Sequence, residues 1–227
     1  FVNSACEIYA ASETLARELN GHYMDQFTYA ERATDWRGNN NIADSIFRQM
    51  SHEPHPVPSW VVMSAGTGGT SATIGRYIRC QGYETQLMVV DPENSVFLDY
   101  WQNRDASLRG SIGSKIEGIG RPRVEPSFIP DVVDNMLRVP DAASVATAHW
   151  LETQLGRKVG ASTGTNMWGA LQLAAQMRTE GKSGSIVTLL CDSGERYLDT
   201  YYNAQWVANN IGGTTPWRRE IEQLLGQ

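Results

Sequence analysis

Residues 60–71 read WVVMSAGTGGTS, an apolar run followed by a glycine-rich turn. Residues 60–64 predict a buried strand, residues 65–70 predict the turn, and a helix is expected from about Ser71 to Gln81. Glycines let the backbone approach a ligand closely, and the N-terminus of a helix adds a positive partial charge. This strand-turn-helix unit therefore predicts a phosphate cradle that needs no lysine.

The residues after the glycines indicate which phosphate-containing ligands the turn is unlike the sites for. No Gly-Lys-Ser/Thr sequence occurs there, which argues against a nucleotide P-loop. Ser71 stands where a dinucleotide-binding turn would have its third glycine. From these residues alone, a tight turn that binds no ligand stays open as the alternative.

Strands and helices alternate on both sides of this unit. The predicted elements are strands at residues 87–91, 138–139 and 186–191, helices at residues 8–19, 42–50, 141–155 and 166–180, and a turn at residues 162–165. Residues 92–140 are otherwise expected to be irregular. Strands rich in Val and Leu that alternate with helices favour an α/β fold, with a parallel-type sheet flanked by helices.

Four segments of the chain carry a family resemblance. In chain order they are Gly66-Thr67-Gly68-Gly69-Thr70, Lys115 to Gly120, Gly160 to Asn166, and Asp192 to Tyr197. Together they resemble the cysteine synthase and cystathionine β-synthase family of pyridoxal 5'-phosphate (PLP) enzymes, and residues 33–42 resemble its bacterial L-cysteine desulfhydrase subgroup. The resemblance implies PLP fold type II, in which the cofactor lies between two α/β domains.

The resemblance also implies roles for individual residues. The residues expected to bind the cofactor phosphate are Gly66, Thr67, Gly68, Gly69 and Thr70. Ser162 is expected to face the pyridine nitrogen, Gln26 to lie near the substrate carboxylate, and Gly118 to lie on the loop that closes over the substrate. A neutral serine leaves the pyridine ring a weaker electron sink than an aspartate would, which favours loss or replacement of the Cβ substituent over transamination.

The lysine that family members use to hold PLP as a Schiff base is not found in its usual context. The lysines of the chain are Lys115, Lys158 and Lys182. The Schiff-base lysine is expected upstream of Phe1, so no catalytic residue is assigned here and the chain alone is expected to be inactive. A piece of a longer protein is favoured over a degenerate relative. Residues 1–33 are then expected to complete a small N-terminal domain, and residues 34–227 to form the large PLP-binding domain.

The function that the resemblance implies is β-elimination of L-cysteine to sulfide, pyruvate and ammonia, as in an L-cysteine desulfhydrase. Two alternatives stay open. One is β-replacement of the cysteine synthase type, on an O-activated serine with sulfide. The other is a non-catalytic PLP-binding or partner module. The expected substrate is a small amino acid, and the homodimer usual in the family is carried over by resemblance only.

Composition limits the other classes of function. The formal net charge of −6 and the isoelectric point near 5.2 argue against a nucleic-acid partner. No window of about 18 apolar residues occurs, so no membrane span is expected.

Three widely spaced cysteines, Cys6, Cys80 and Cys191, indicate reduced thiols and a cytoplasmic protein. His52 and His55 lie in a proline-rich loop without a nearby cysteine, so no metal site is expected.

A hydrolase is the strongest rival among enzymes. Gly160-x-Ser162-x-Gly164 matches the nucleophile elbow of α/β-hydrolases. That fold places its histidine after the serine, whereas every histidine of this chain precedes Ser162. The sequence therefore argues against the hydrolase.

Arginines and glutamates alternate in the middle of the segment expected to be irregular. Arg121 and Arg123, with Glu117 and Glu125 near them, predict a solvated or interdomain charge cluster. The alternative is that Arg121 binds an anionic substrate.

Overall fold

A computed structural model of the chain describes residues 4–38 and 41–226. The α-helices are α1 Ser4–Glu18, α2 Gln26–Tyr29, α3 Ile42–Met50, α4 Gly69–Gln81, α5 Phe97–Asn103, α6 Asp141–Leu155, α7 Ala161–Thr179, α8 Ala204–Asn210 and α9 Thr215–Leu225. The strands are β1 Trp60–Ser64, β2 Gln86–Pro92, β3 Asn135–Val139 and β4 Ile186–Thr188. Short 3-10 helices lie at Ala30–Arg32, Pro130–Val132 and Gly194–Tyr197.

The four strands form one parallel sheet in the order β3-β2-β1-β4. Alternate residues of β1 and β2 face opposite sides, as strand geometry requires. Val61 and Val89 pack with α3, α4 and α5 on one face, and Val62 and Val90 pack with α6, α7 and α9 on the other. Because both faces are covered, these strands are apolar along most of their length. The predicted α/β fold with a parallel sheet flanked by helices is confirmed.

The first turn of α7 corrects one prediction. Residues 162–165 were expected to form a turn, but they belong to the helix that begins at Ala161. Gly164 is required there by packing, because a Cβ at this position would run into the backbone oxygen of Ser144 in α6. The Thr165 hydroxyl also donates to the Ser144 hydroxyl at 2.8 Å. Glycine thus marks a close contact between two helices at this point.

Other boundaries differ more modestly from the prediction. Helix α4 begins at Gly69, two residues before the expected Ser71. Strand β4 ends at Thr188 and not at Cys191. Helix α5 lies inside the segment expected to be irregular.

The N-terminal segment contacts the rest of the chain through a few specific groups. The Tyr9 hydroxyl donates to Glu125 Oε1 at 3.2 Å, and the Ser127 hydroxyl donates to the carbonyl oxygen of Thr28 at 3.0 Å. Apolar side chains of this segment are left uncovered by the described part of the chain, with Leu15 of α1 54% exposed and Leu19, just after α1, 71% exposed. The division at residues 33 and 34 stays a prediction. Among the described residues, none of the helices is long and apolar enough to cross a bilayer.

Candidate functional site

A cavity of about 820 Å³ opens at the carboxyl ends of β1 and β4. The chain leaves β1 through α4 towards β2, whereas β4 lies on the other side of β1. Ligands of parallel α/β sheets bind at such a change of direction, because the loops there diverge and leave a crevice. The polar residues that line it include Thr67, Thr70, Glu117, Arg121, Ser162, Asn166, Asp192 and Arg196.

The glycine-rich turn forms the first wall of the cavity. Gly68 has φ of +95°, and a Cβ there would lie 2.5 Å from the Cα of Phe128. A Cβ at Gly66 would lie 2.5 Å from the carbonyl oxygen of Gly118. Glycine is therefore required at both positions. The first N–H groups of α4 have no acceptor within the helix, so they are available to an anion in the cavity.

The N-terminus of α7 forms the second wall. Ser162 lies in its first turn and is 7% exposed. One turn later, the fully buried Asn166 donates from Nδ2 to the carbonyl oxygen of Leu189 at 3.2 Å and to Cys191 Sγ at 3.3 Å. The Oδ1 atom of Asn166 is buried and has no hydrogen-bond partner among the described residues. Such an atom is costly unless a ligand or water satisfies it, so this wall fits a polar ligand.

Asp192 completes this wall after β4. Its Oδ2 atom accepts a hydrogen bond from the Tyr197 hydroxyl at 2.7 Å, while its Oδ1 atom is buried and receives no hydrogen bond from the part of the chain that the structure describes. Burial raises the pKa of Tyr197, and the hydrogen bond to Asp192 raises it further. The Tyr197 hydroxyl therefore keeps its proton at ordinary pH and fixes the carboxylate in place.

The loop of residues 115–121 forms the third wall. Gly118 has φ of +85°, and the N–H of Gly120 donates to the carbonyl oxygen of Ala65 at 2.9 Å, which docks this loop on the glycine-rich turn. The Tyr201 hydroxyl accepts from the N–H of Glu117 at 2.8 Å and donates to the carbonyl oxygen of Lys115 at 2.9 Å. The loop is thus held from both sides.

The charge cluster beside this loop is only partly solvated, because Glu117 is exposed while Arg121 and Arg123 are partly buried, and its interdomain alternative stays a prediction. Glu125 is completely buried and pairs with Arg123 at 2.9 Å. A buried carboxylate needs such partners because it has lost its hydration. Arg121 lines the cavity, with its Nε atom 4.0 Å from Glu125 Oε1 and its guanidinium carbon 4.7 Å from the centre of the Phe27 ring. Binding of an anionic substrate by Arg121 stays a prediction.

Most of the predicted site residues meet in this one cavity. Those that line it are Gly66, Thr67, Gly68, Gly69, Thr70, Gly118 and Ser162. Gln26, the first residue of α2, is exposed and does not line it. Sequence reasoning gave no role to Asn166 or Asp192, although both stood in the quoted motifs. It missed Tyr201 altogether, because nothing local marks a tyrosine that acts on a distant loop.

The lysines of the chain lie elsewhere. Lys115 Nζ donates to the carbonyl oxygen of Asn210, and Lys158 and Lys182 pair with Glu152 and Glu180 at 2.6 and 2.7 Å. None of these lysines lines the cavity. Within residues 4–38 and 41–226, no group of three or more His, Cys, Asp or Glu side chains could hold a metal ion.

His149 also bears on the hydrolase alternative. Its Nε2 atom donates to the carbonyl oxygen of Tyr201 at 2.8 Å, and its Nδ1 atom lies 3.3 Å from a guanidinium nitrogen of Arg218. Burial lowers the pKa of His149, which keeps the imidazole neutral. With both ring nitrogens engaged away from the cavity, His149 does not act as a base for Ser162.

Comparison with known proteins shows a protein family and several relatives to which this chain is similar. A family described as "Pyridoxal-phosphate dependent enzyme" matches residues 3–192. L-cysteine desulfhydrase Cds1 of Mycobacterium tuberculosis is 60% identical over 92% of the chain and 56% of that protein. A putative pyridoxal-phosphate dependent protein of Caenorhabditis elegans is 31% identical over 95% of the chain and 57% of that protein. Cysteine synthase 2 of Emericella nidulans is 29% identical over 91% and 48%. The chain spans about half the length of these relatives.

Proposed function

Because the chain belongs to the pyridoxal-phosphate dependent enzyme family, we propose that it forms the PLP-binding part of an enzyme that breaks down L-cysteine to sulfide, pyruvate and ammonia. The resemblance to the cysteine synthase family, including its desulfhydrase subgroup, is confirmed. The proposal that L-cysteine is the substrate rests on the 60% identity to a protein named as an L-cysteine desulfhydrase, which compares with 29% identity to the cysteine synthase.

The glycine-rich turn is suited to the cofactor phosphate. Its glycines leave no side chain between the cavity and the backbone, and the N-terminus of α4 presents its unpaired N–H groups and the positive end of the helix dipole. Thr67 and Thr70 line the same space and can donate from their hydroxyls. These groups hold a dianion without a lysine.

The α7 wall is suited to the ring of the cofactor. When bound, PLP supplies an electron sink for cleavage of bonds at the amino-acid substrate. Ser162 offers the pyridine nitrogen a neutral hydroxyl, which leaves that nitrogen unprotonated more often than a carboxylate would. Asn166 and Asp192 fix the wall behind it through the contacts described above. Gly118 lies across the cavity, where a substrate can be enclosed.

The proposal extends to the substrate carboxylate, the Schiff-base lysine and the assembly. Gln26 would reach the substrate carboxylate only after a change in the position of α2, since it is exposed here. The Schiff-base lysine is proposed to lie outside this chain, which the distance of the three lysines from the cavity supports. A cytoplasmic homodimer completes the proposal; Cys80 and Cys191, both free thiols, are compatible with a reducing compartment.

The test has two arms. PLP is titrated into the 227-residue chain while tryptophan fluorescence is followed, and Gly66→Ala is compared with Gly113→Ala, where an added Cβ meets no described atom within 4 Å. We expect Gly66→Ala alone to weaken binding, since the new methyl group pushes the Gly118 loop away. Equal affinity in both variants, or no binding by the unmodified chain, would overturn the cofactor site.

The second arm concerns the reaction. The protein that contains this sequence is purified from its natural source, and its intact mass is measured by mass spectrometry. It is then assayed for the formation of sulfide and pyruvate from L-cysteine in the presence of PLP. Equal amounts of both products are expected. Faster cysteine formation from an O-activated serine and sulfide would favour the synthase alternative. Bound PLP with no turnover in either direction would favour the non-catalytic module.

A further inference from the structure

Two adjacent tyrosines after the third 3-10 helix reach two different walls of the cavity. The Tyr201 hydroxyl accepts from the N–H of Glu117 and donates to the carbonyl oxygen of Lys115. The Tyr202 hydroxyl accepts from the N–H of Val159 at 3.0 Å and donates to the carbonyl oxygen of Val159 at 2.7 Å. Each hydroxyl therefore binds both a donor and an acceptor of one distant backbone segment.

The two bound segments lead directly into the cavity. Glu117 precedes Gly118, whose carbonyl oxygen lies so near the glycine-rich turn that a Cβ on Gly66 would come within 2.5 Å of it. Val159 precedes the N-cap of α7, three residues before Ser162 in the chain. The segment that holds Val159 lies outside the four-stranded sheet and forms an isolated bridge to Ser193. Backbone hydrogen bonds from Gly160 to Asp192 and from Gly194 to Lys158 hold this segment, and the Tyr202 hydroxyl adds a side-chain contact to Val159 itself.

The tyrosine pair is itself held firmly. The carbonyl oxygen of Tyr201 accepts from His149 in α6, and the N–H of Tyr202 donates to the carbonyl oxygen of Tyr197 at 3.1 Å. Tyr201 is 3% exposed and packs edge-on against Trp206 with ring centres 5.5 Å apart. Burial raises the pKa of Tyr201 to about 12 and also raises the pKa of Tyr202. Both hydroxyls thus keep the proton that they donate.

We propose that Tyr201 and Tyr202 are positioning residues that set the distance between the Gly118 loop and the N-terminus of α7, and so preorganise the cavity for PLP. The inference rests on the proposed function. Neither tyrosine lines the cavity; each acts through the backbone segment that it binds. A preformed cavity binds more tightly because less order is lost on binding.

Tyr201→Phe and Tyr202→Phe remove one hydroxyl each and keep the ring. Amide hydrogen exchange followed by mass spectrometry or NMR should show faster exchange at Glu117 in the first variant and at Val159 in the second, so that each variant is the control for the other. PLP affinity should fall about five- to tenfold in both, because each variant loses the two hydrogen bonds that its hydroxyl makes to the segment. Tyr83→Phe, which removes a hydroxyl from a ring stacked on Phe47, should bind like the unmodified chain.

A purely structural role would lower the midpoint of thermal unfolding without changing PLP affinity, and that result would overturn the inference. Exchange in the unmodified chain gives a test that needs no variant: bound PLP should slow exchange at both Glu117 and Val159, and no slowing would count against the positioning role. If the unmodified chain fails to bind PLP, the proposed function fails and the positioning role with it. Normal binding by the unmodified chain and by both variants refutes the positioning role alone.

Discussion

Replacement of Gly68 by alanine tests how tightly the glycine-rich turn is packed. Gly68 is the N-cap of α4, and an added Cβ would approach the Cα, N and Cβ of Phe128 at 2.5, 2.8 and 2.9 Å. Phe128 cannot yield easily, because it is 2% exposed and stacks on Phe97 with ring centres 4.5 Å apart. The backbone must therefore move at the turn itself.

The loss of stability expected for Gly68→Ala has two parts. Alanine in a left-handed conformation loses about 1–2 kcal/mol relative to glycine, and overpacking a tight site costs about 1–3 kcal/mol more. Gly82 is the natural control, since it caps the other end of α4 with φ of +67° and its Cβ would meet no described atom within 4 Å. Gly82→Ala should show only the cost of placing alanine in a left-handed conformation. The difference between the two variants then measures the contact with Phe128.

Urea unfolding, followed by far-UV circular dichroism, gives the free energy of unfolding of each variant. We expect Gly68→Ala to lose about 1–3 kcal/mol more than Gly82→Ala. Equal losses would mean that the turn relaxes freely and that backbone packing does not fix the cradle.

Three further predictions concern the buried charges and the α7 wall of the cavity. Arg123→Met should lower the free energy of unfolding by about 3 kcal/mol, since it leaves the buried Glu125 carboxylate with fewer partners, and Arg123→Met with Glu125→Gln should recover part of it. Burial raises the pKa of Asp91 to about 6, so the folded chain holds a proton that the unfolded chain has released, and stability should fall as pH rises from about 4 to about 6. Asp91→Asn should remove about 2–3 kcal/mol of that pH dependence in urea titrations, and an unchanged slope would contradict the assignment. Ser162→Ala should weaken PLP about three- to tenfold with little change in unfolding, and an equal loss of stability would argue for a structural role instead.

The strand-turn-helix unit was predictable because its signals are local. Trp60 to Ser64 form a compact, largely apolar run, and Gly66 and Gly68 follow at once, so strand, turn and helix could be assigned within a few positions of their true bounds. The motif containing Ser162 could likewise be assigned to the cavity from its resemblance alone.

Elements that depend on distant partners were not predictable. Helix α5 was missed because the N–H of Leu98 in its first turn is capped by Asp91 Oδ2, a residue of β2, at 2.9 Å. Gly164 suggested a turn because its partner in α6 cannot be seen in the sequence. The Tyr201 hydroxyl binds backbone 84 and 86 positions away, a contact without any local pattern.

The place of β4 at the edge of the sheet has a consequence for biosynthesis. Thr188 in β4 donates to the carbonyl oxygen of Val62 in β1, 126 positions earlier in the chain. A ribosome that adds roughly 5–20 residues per second makes the glycine-rich turn about 6–23 s before β4. During that interval the nascent chain has the N-terminus of α4 but only part of the cavity. A cofactor that binds as proposed would find the complete cavity only after β4 and the residues after it have docked.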